Sequence, residues 1–173
     1  VLIYRALPAM HELVNCVREI TRQELGLSDP CLAESKLESS DFRRRASCAR
    51  QIVRENGEVA RLYKAVLLEV GVDVPAIFYD HFKLRLQPSN DISRPRYMRD
   101  LPAHRDTWGS NIHAQINWWA PIWPVTPERT IGMFPALWNE PVPNTSAEWS
   151  YRAFMQQLKA DKNTDYPMLP QCV

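Results

Sequence analysis

Near Pro75 the hydrophobic pattern of the chain changes period, and that change constrains the fold more than any other feature. Before it, apolar residues recur three and four positions apart; after it, they alternate. Val59, Leu62, Tyr63, Val66, Leu67 and Val70 make one apolar stripe, which predicts a helix from Glu58 to Val70 closed by Gly71. Met10, Leu13, Val14, Val17 and Leu25 predict an earlier helix stopped at Gly26, and residues 32–40 a short one. Asp41 has the form of an N-cap for a basic helix from Phe42 to about Glu55, ended by Asn56-Gly57. Downstream, Phe82, Leu84 and Leu86 alternate with Lys83, Arg85 and Gln87, as a half-buried strand does. Ile112 to Trp119 alternates as well, and residues 130–134 are a further strand candidate. Thr145-Ser146-Ala147-Glu148 has the capping-box form and predicts a helix to about Lys159. Helices first and strands afterwards argue for an α+β fold in a single domain. A helical layer over 1–74 would pack on an antiparallel sheet or barrel begun within 75–173.

The chain has 173 residues, enough for one domain with a sizeable core. A net charge of +1 makes no case for a nucleic-acid partner or for electrostatic membrane binding. No apolar run approaches the roughly 20 residues of a membrane span. The start lacks a basic-then-apolar signal pattern, so the expected location is cytoplasmic; a first residue Val1 rather than Met points to a chain cut from something longer. Cys16, Cys31, Cys48 and Cys172 are too scattered for a zinc site or a disulfide framework, and are expected as free thiols. With five glycines and no G-x-S-x-G, neither a phosphate cradle nor a hydrolase elbow is expected. Arg43, Arg44, Arg45 and Arg50 read as a solvated helix face or as a surface for an anionic substrate or partner. His11 and His81 read as ordinary surface or core-edge histidines.

The residues that carry chemistry lie in the aromatic second half. In an extended segment His104 and Asp106 project to the same face. An imidazole and a carboxylate side by side are two thirds of the facial set of non-haem Fe(II) oxygenases. On the strand that follows, Gln115 and Asn117 share a face with His113 and Trp119, while Ile112, Ala114, Ile116 and Trp118 share the other. The polar face reads either as a site wall, aromatic surface with a few placed hydrogen-bonding groups, or as a solvated face. In a closed barrel it would line the lumen, together with Lys83, Arg85 and Gln87.

The run His104-Arg105-Asp106-Thr107-Trp108-Gly109-Ser110, then Gln115-Ile116-Asn117-Trp118-Trp119-Ala120-Pro121, then Pro135, Pro141-Val142 and Asn144-Thr145-Ser146, resembles Fe(II)/2-oxoglutarate-dependent oxygenases of the phytanoyl-CoA dioxygenase-like type. Within that group it is most similar to a bacterial branch associated with hydroxylation of the lipopolysaccharide sugar Kdo. The resemblance covers roughly Phe78 to Trp149. It implies a double-stranded β-helix, a cupin-like jelly roll with helices outside, and a hydroxylase that uses Fe(II) and 2-oxoglutarate on a small polar or sugar-type substrate. It implies His104 and Asp106 as iron ligands, and Gln115 and Asn117 as residues that hold cosubstrate or substrate; Arg85, a cation on the same expected lumen face, is a further candidate for holding an anionic ligand there. The family also needs a second His and then an Arg or Lys for the distal carboxylate of 2-oxoglutarate. No His follows His113, which comes too soon after Asp106 for the family geometry. Two readings of that departure stay open: a barrel incomplete at its C-terminus, or a relative that binds a ligand without a complete metal site.

Overall fold

The structure is a computed structural model and describes residues 2–86, 103–110, 112–127, 130–160, 170 and 172. The chain forms two compact units. One comprises residues 1–86 with Ile122–Pro124, the other residues 87–121 and 125–173.

The first unit is a helical bundle of α1 (Pro8–Leu25), a short α2 (Ala33–Lys36), α3 (Ser39–Glu55) and α4 (Gly57–Glu69). Along α1, Leu13, Val17, Thr21 and Leu25 are buried, a row with a spacing of four that keeps one side of the helix turned inward. Against α1 pack α3 and α4. From α3 come Ala46, Ala49 and Val53, small enough to let the helix axes approach; from α4 come Val59, Leu62, Val66 and Leu67. Both expected glycine stops are present. Gly26 and Gly71 have φ of 66° and 82°. Leu27 and Val72 each donate an amide back across their glycine, to the carbonyls of Arg22 and Leu67 respectively. This is the Schellman closure that only a residue tolerant of positive φ makes cheaply.

Three helix starts differ from expectation. Asp41 is not a cap, because α3 begins at Ser39 and Asp41 sits in its first turn. There it meets Arg44 at 2.6 Å and Arg45 at 2.8 Å, and that pairing occupies the carboxylate. Asn56 starts α4 instead, accepting the amides of Glu58 and Val59 at 2.9 and 3.0 Å. Near the C-terminus, Ser146–Glu148 is a single 3-10 turn with no side-chain cap from Thr145. Trp149 is extended, and α6 (Tyr151–Ala160) starts only after it, with the Ser150 hydroxyl accepting the Ala153 amide at 3.4 Å.

The expected antiparallel sheet and double-stranded β-helix are not found: among the described residues there is no β-strand, only one isolated bridge between Asn144 and Cys172. The segment 82–86 shows why the alternating pattern misled. It is irregular, and it still buries alternate residues, with Leu84 7% exposed in the core and Phe82 and Leu86 packed beside it. The surface it lies on is helical. Its last carbonyl, at Leu86, accepts from Arg50 on α3 at 3.3 Å rather than from a neighbouring strand. A period of two records an extended backbone with one side covered; it does not record what covers it. Residues 112–119 are irregular and exposed on both faces, Ile116 to 76%. Residues 130–134 form no strand either. The expected lumen is therefore absent among the described residues, and Lys83 and Arg85 are exposed. Gln87, the last residue of the expected first strand, lies outside the described residues.

Candidate functional site

The predicted site residues of the aromatic half come together in the second unit, around a short helix α5 (Asp106–Ser110). His104 and Asp106 do face each other, but not along a strand: Asp106 opens the helix and His104 precedes it. Three ties hold this turn. The Cys172 amide donates to the Ala103 carbonyl at 2.8 Å. The Arg105 guanidinium donates to the carbonyls of Leu137 and Glu140, the latter at 2.7 Å, and lies 5.7 Å from the centre of the Trp108 ring. On α5, Gly109 lies against the Trp149 ring and Pro170; a Cβ there would be 3.5 Å from the indole. Trp149 in turn packs on Tyr151 and Phe154, ring centres 6.3 and 5.7 Å away.

Four of the five predicted site residues form one hydrogen-bonded chain. His104 Nε2 and Asp106 Oδ1 are 3.1 Å apart. The other carboxylate oxygen, Oδ2, accepts from Asn117 Nδ2. Asn117 Oδ1 accepts from Gln115 Nε2 at 2.6 Å, and Gln115 Oε1 accepts from the Ser110 hydroxyl at 2.7 Å. The polar face of residues 112–119 is thus solvent-accessible and still organised towards Asp106. With side-chain exposures of 21% and 48%, His104 and Asp106 are reachable from solvent.

Arg85, the fifth, is exposed and belongs to the other unit. His113 is exposed as well. Two participants were not foreseen. Ser110 terminates the chain of hydrogen bonds, and its only sequence signal is a position five residues before Gln115, across a turn. Arg105 ties α5 to residues 137–140, and nothing in the local sequence marks those carbonyls as its partners. Trp138 is exposed and Trp123 half-buried, neither within this chain.

As donors for a cation, the residues present fit in part. An imidazole nitrogen and a carboxylate oxygen converge, and the second oxygen of the carboxylate is held by an amide, an arrangement that fixes a metal-binding carboxylate. Among the described residues, no group of three His, Cys, Asp or Glu side chains gathers around one point. The first unit has a groove of its own, of about 350 Å³, lined by Val53, Tyr63, Tyr79, His81 and Phe82 among others. None of the predicted site residues lines it. No described helix is long and apolar enough to cross a membrane, and all four cysteines are free thiols. Compared with protein-family models, with characterised proteins and with solved structures, the chain matches none.

Proposed function

We propose that the chain carries the iron site of a non-haem Fe(II), 2-oxoglutarate-dependent dioxygenase, with His104 and Asp106 as metal ligands. The observation that supports this best is the 3.1 Å separation of His104 Nε2 and Asp106 Oδ1. Ligand atoms about 2.1 Å from one metal and at right angles to each other stand about 3.0 Å apart. One nitrogen and one carboxylate oxygen suit a first-row divalent metal, and a two-ligand edge leaves positions for cosubstrate and oxygen. When bound, iron and 2-oxoglutarate supply the oxidising chemistry, and the protein supplies orientation. Here that work falls to named side chains. His104 offers Nε2, Asp106 offers Oδ1, and the ties of Arg105 to residues 137–140 keep the turn that carries both from opening. The reading extends to a small polar, anionic or sugar-type substrate, for which the exposed Gln115 and Asn117 beside Asp106 offer hydrogen-bonding surface. It also extends to a cytoplasmic location, which suits four free thiols.

The test begins with the metal. Titration of the 173-residue chain with Co(II) is expected to shift the His104 ring resonances saturably, and His104→Ala to abolish saturable binding with an unchanged melting curve. The protein is then assayed for Fe(II)-dependent release of succinate from 2-oxoglutarate, which His104→Ala should eliminate. Metal uptake that does not depend on His104, together with no succinate, would sink the dioxygenase reading. What would remain is a ligand-binding module that uses Gln115, Asn117 and the neighbouring aromatic residues without a metal.

A further inference from the structure

We infer that Asn117 is a positioning residue for the His104–Asp106 pair rather than a contact for cosubstrate, and that Gln115 and Ser110 act through it. This rests on the reading of His104 and Asp106 as metal ligands. One group in the chain of hydrogen bonds has a role with no alternative. An ionised carboxylate only accepts. Asp106 Oδ2 must therefore meet the amide nitrogen of Asn117, which turns Asn117 Oδ1 away from the carboxylate. That oxygen needs a donor, and Gln115 Nε2 supplies it at 2.6 Å. Gln115 Oε1 is then turned to Ser110, whose hydroxyl donates at 2.7 Å. The same hydroxyl accepts the Ile112 amide at 3.2 Å, which anchors it to the backbone just before the segment that carries both amides. Every donor in the series points towards Asp106, and each amide has one orientation that satisfies both neighbours.

The consequence for Asp106 is specific. Its Oδ2 is engaged by Asn117 while its Oδ1 stays with His104 Nε2. The carboxylate is thereby presented to a metal through one oxygen, with its plane set from outside. An exposed carboxylate at the start of a five-residue helix would otherwise rotate about its terminal torsion, which is broad for a carboxylate. Asn117 lies eleven residues away in sequence, so the contact also fastens residues 112–119 to α5. With its amide nitrogen spent on Asp106 and its oxygen on Gln115, Asn117 has both ends of its side chain directed within the protein.

Co(II) alone, with no cosubstrate, separates the two roles. The 173-residue chain is titrated as wild type, Asn117→Leu, Gln115→Leu, Ser110→Ala and His104→Ala, with binding read from the paramagnetic shift of the His104 ring or, in His104→Ala, of the Asp106 side chain. Loss of a residue that orients a metal-binding carboxylate typically weakens the metal about 10- to 100-fold. The expected result is a loss in that range for Asn117→Leu, a smaller one for Gln115→Leu and the smallest for Ser110→Ala, all with an unchanged far-ultraviolet melting transition of the helical first unit. Should Asn117→Leu melt early, Asn117→Ala takes its place. Co(II) affinity equal to wild type in the Asn117 variant would overturn the inference, and a change confined to 2-oxoglutarate affinity in a second titration with that cosubstrate would return Asn117 to it. If wild-type binding is itself insensitive to His104→Ala, the ligand reading fails, and it does so independently of Asn117.

Discussion

At the scale of single residues, burial and hydrogen bonding in the first unit separate side chains that sequence alone treats alike. Thr21 is fully buried on the inward row of α1, where a polar residue interrupts Leu13, Val17 and Leu25. Its hydroxyl donates to the Val17 carbonyl at 2.7 Å. That carbonyl already accepts the helical amide four residues on, so removing the hydroxyl strands no partner. Such back-bonding inside a helix is slightly unfavourable. Thr21→Val should therefore leave stability within about 1 kcal/mol of wild type, on the stabilising side. Leu62→Ala, which empties an equally buried site on α4, should cost about 2–5 kcal/mol. Urea unfolding of the two variants checks the contrast. A large loss in Thr21→Val would show that the hydroxyl serves a partner other than Val17.

At the scale of elements, the tie between the start of α3 and the end of α1 runs through Asp41 and Arg45. Arg45 donates to Asp41 Oδ2 at 2.8 Å and to the Leu25 carbonyl, at the C-terminal end of α1, at 3.2 Å. The Arg44 hydrogen bond, followed by the pairing with Arg45, holds the Asp41 carboxyl below its usual value of 3.8. A carboxyl depressed in the folded state contributes stability above the unfolded pKa and loses it as pH falls through the folded value. The helical bundle should thus lose stability on acidification below about pH 4, and Asp41→Asn should remove part of that loss while leaving the parts due to Glu58 and Asp80. Those two are likewise depressed, by Arg61 and Lys83 respectively. Denaturant midpoints at pH 6 and pH 3 measure it; an identical acid loss in Asp41→Asn would remove Asp41 from the account. This pair also shows what sequence could and could not reveal. The helical stripes and the glycine stops were legible because period and positive φ are local properties. Asp41 looked like a cap because an acidic residue before a basic helix has that form, and only the partners at positions 44 and 45 decide otherwise. The strands were misread for the same reason in reverse. Alternation at 82–86 is local, while the helical surface beneath Leu84 comes from residues 13 to 66. At the site, the residue types at 104, 106, 115 and 117 were readable, and the Ser110 and Arg105 partners were not, since each depends on a turn rather than on a pattern.

At the scale of the whole molecule, the two units differ in what holds them. Every buried hydrophobic side chain of the core cluster belongs to the first unit. In the second, the described apolar side chains are largely in contact with solvent: Ile116, Trp119, Phe134 and Trp138 are each half or more exposed. Its described structure rests on the Arg105 clamp, the hydrogen bonds that lead to Asp106, and the Trp149 cluster. Such ties are short-range, and polar ones at the surface contribute little each, whereas apolar burial dominates folding. The units should therefore lose structure at different denaturant concentrations, and the chain carries a natural reporter for each. Most helical residues lie in α1, α3 and α4, so far-ultraviolet circular dichroism follows the first unit. Five of the six tryptophans lie in the second unit, the exception being Trp123, so indole fluorescence follows that one. Tryptophan emission should change first, at low urea and with a shallow slope, while the signal at 222 nm holds and then falls in one cooperative step. Non-coincident transitions are the mark of departure from two-state behaviour. The Leu62→Ala variant should move only the second transition, and a variant that cuts the clamp, Arg105→Met, only the first. Superimposable curves from both probes, shifting together in both variants, would mean that the second unit shares the cooperative core of the first, and that its exposed apolar side chains do not measure its stability.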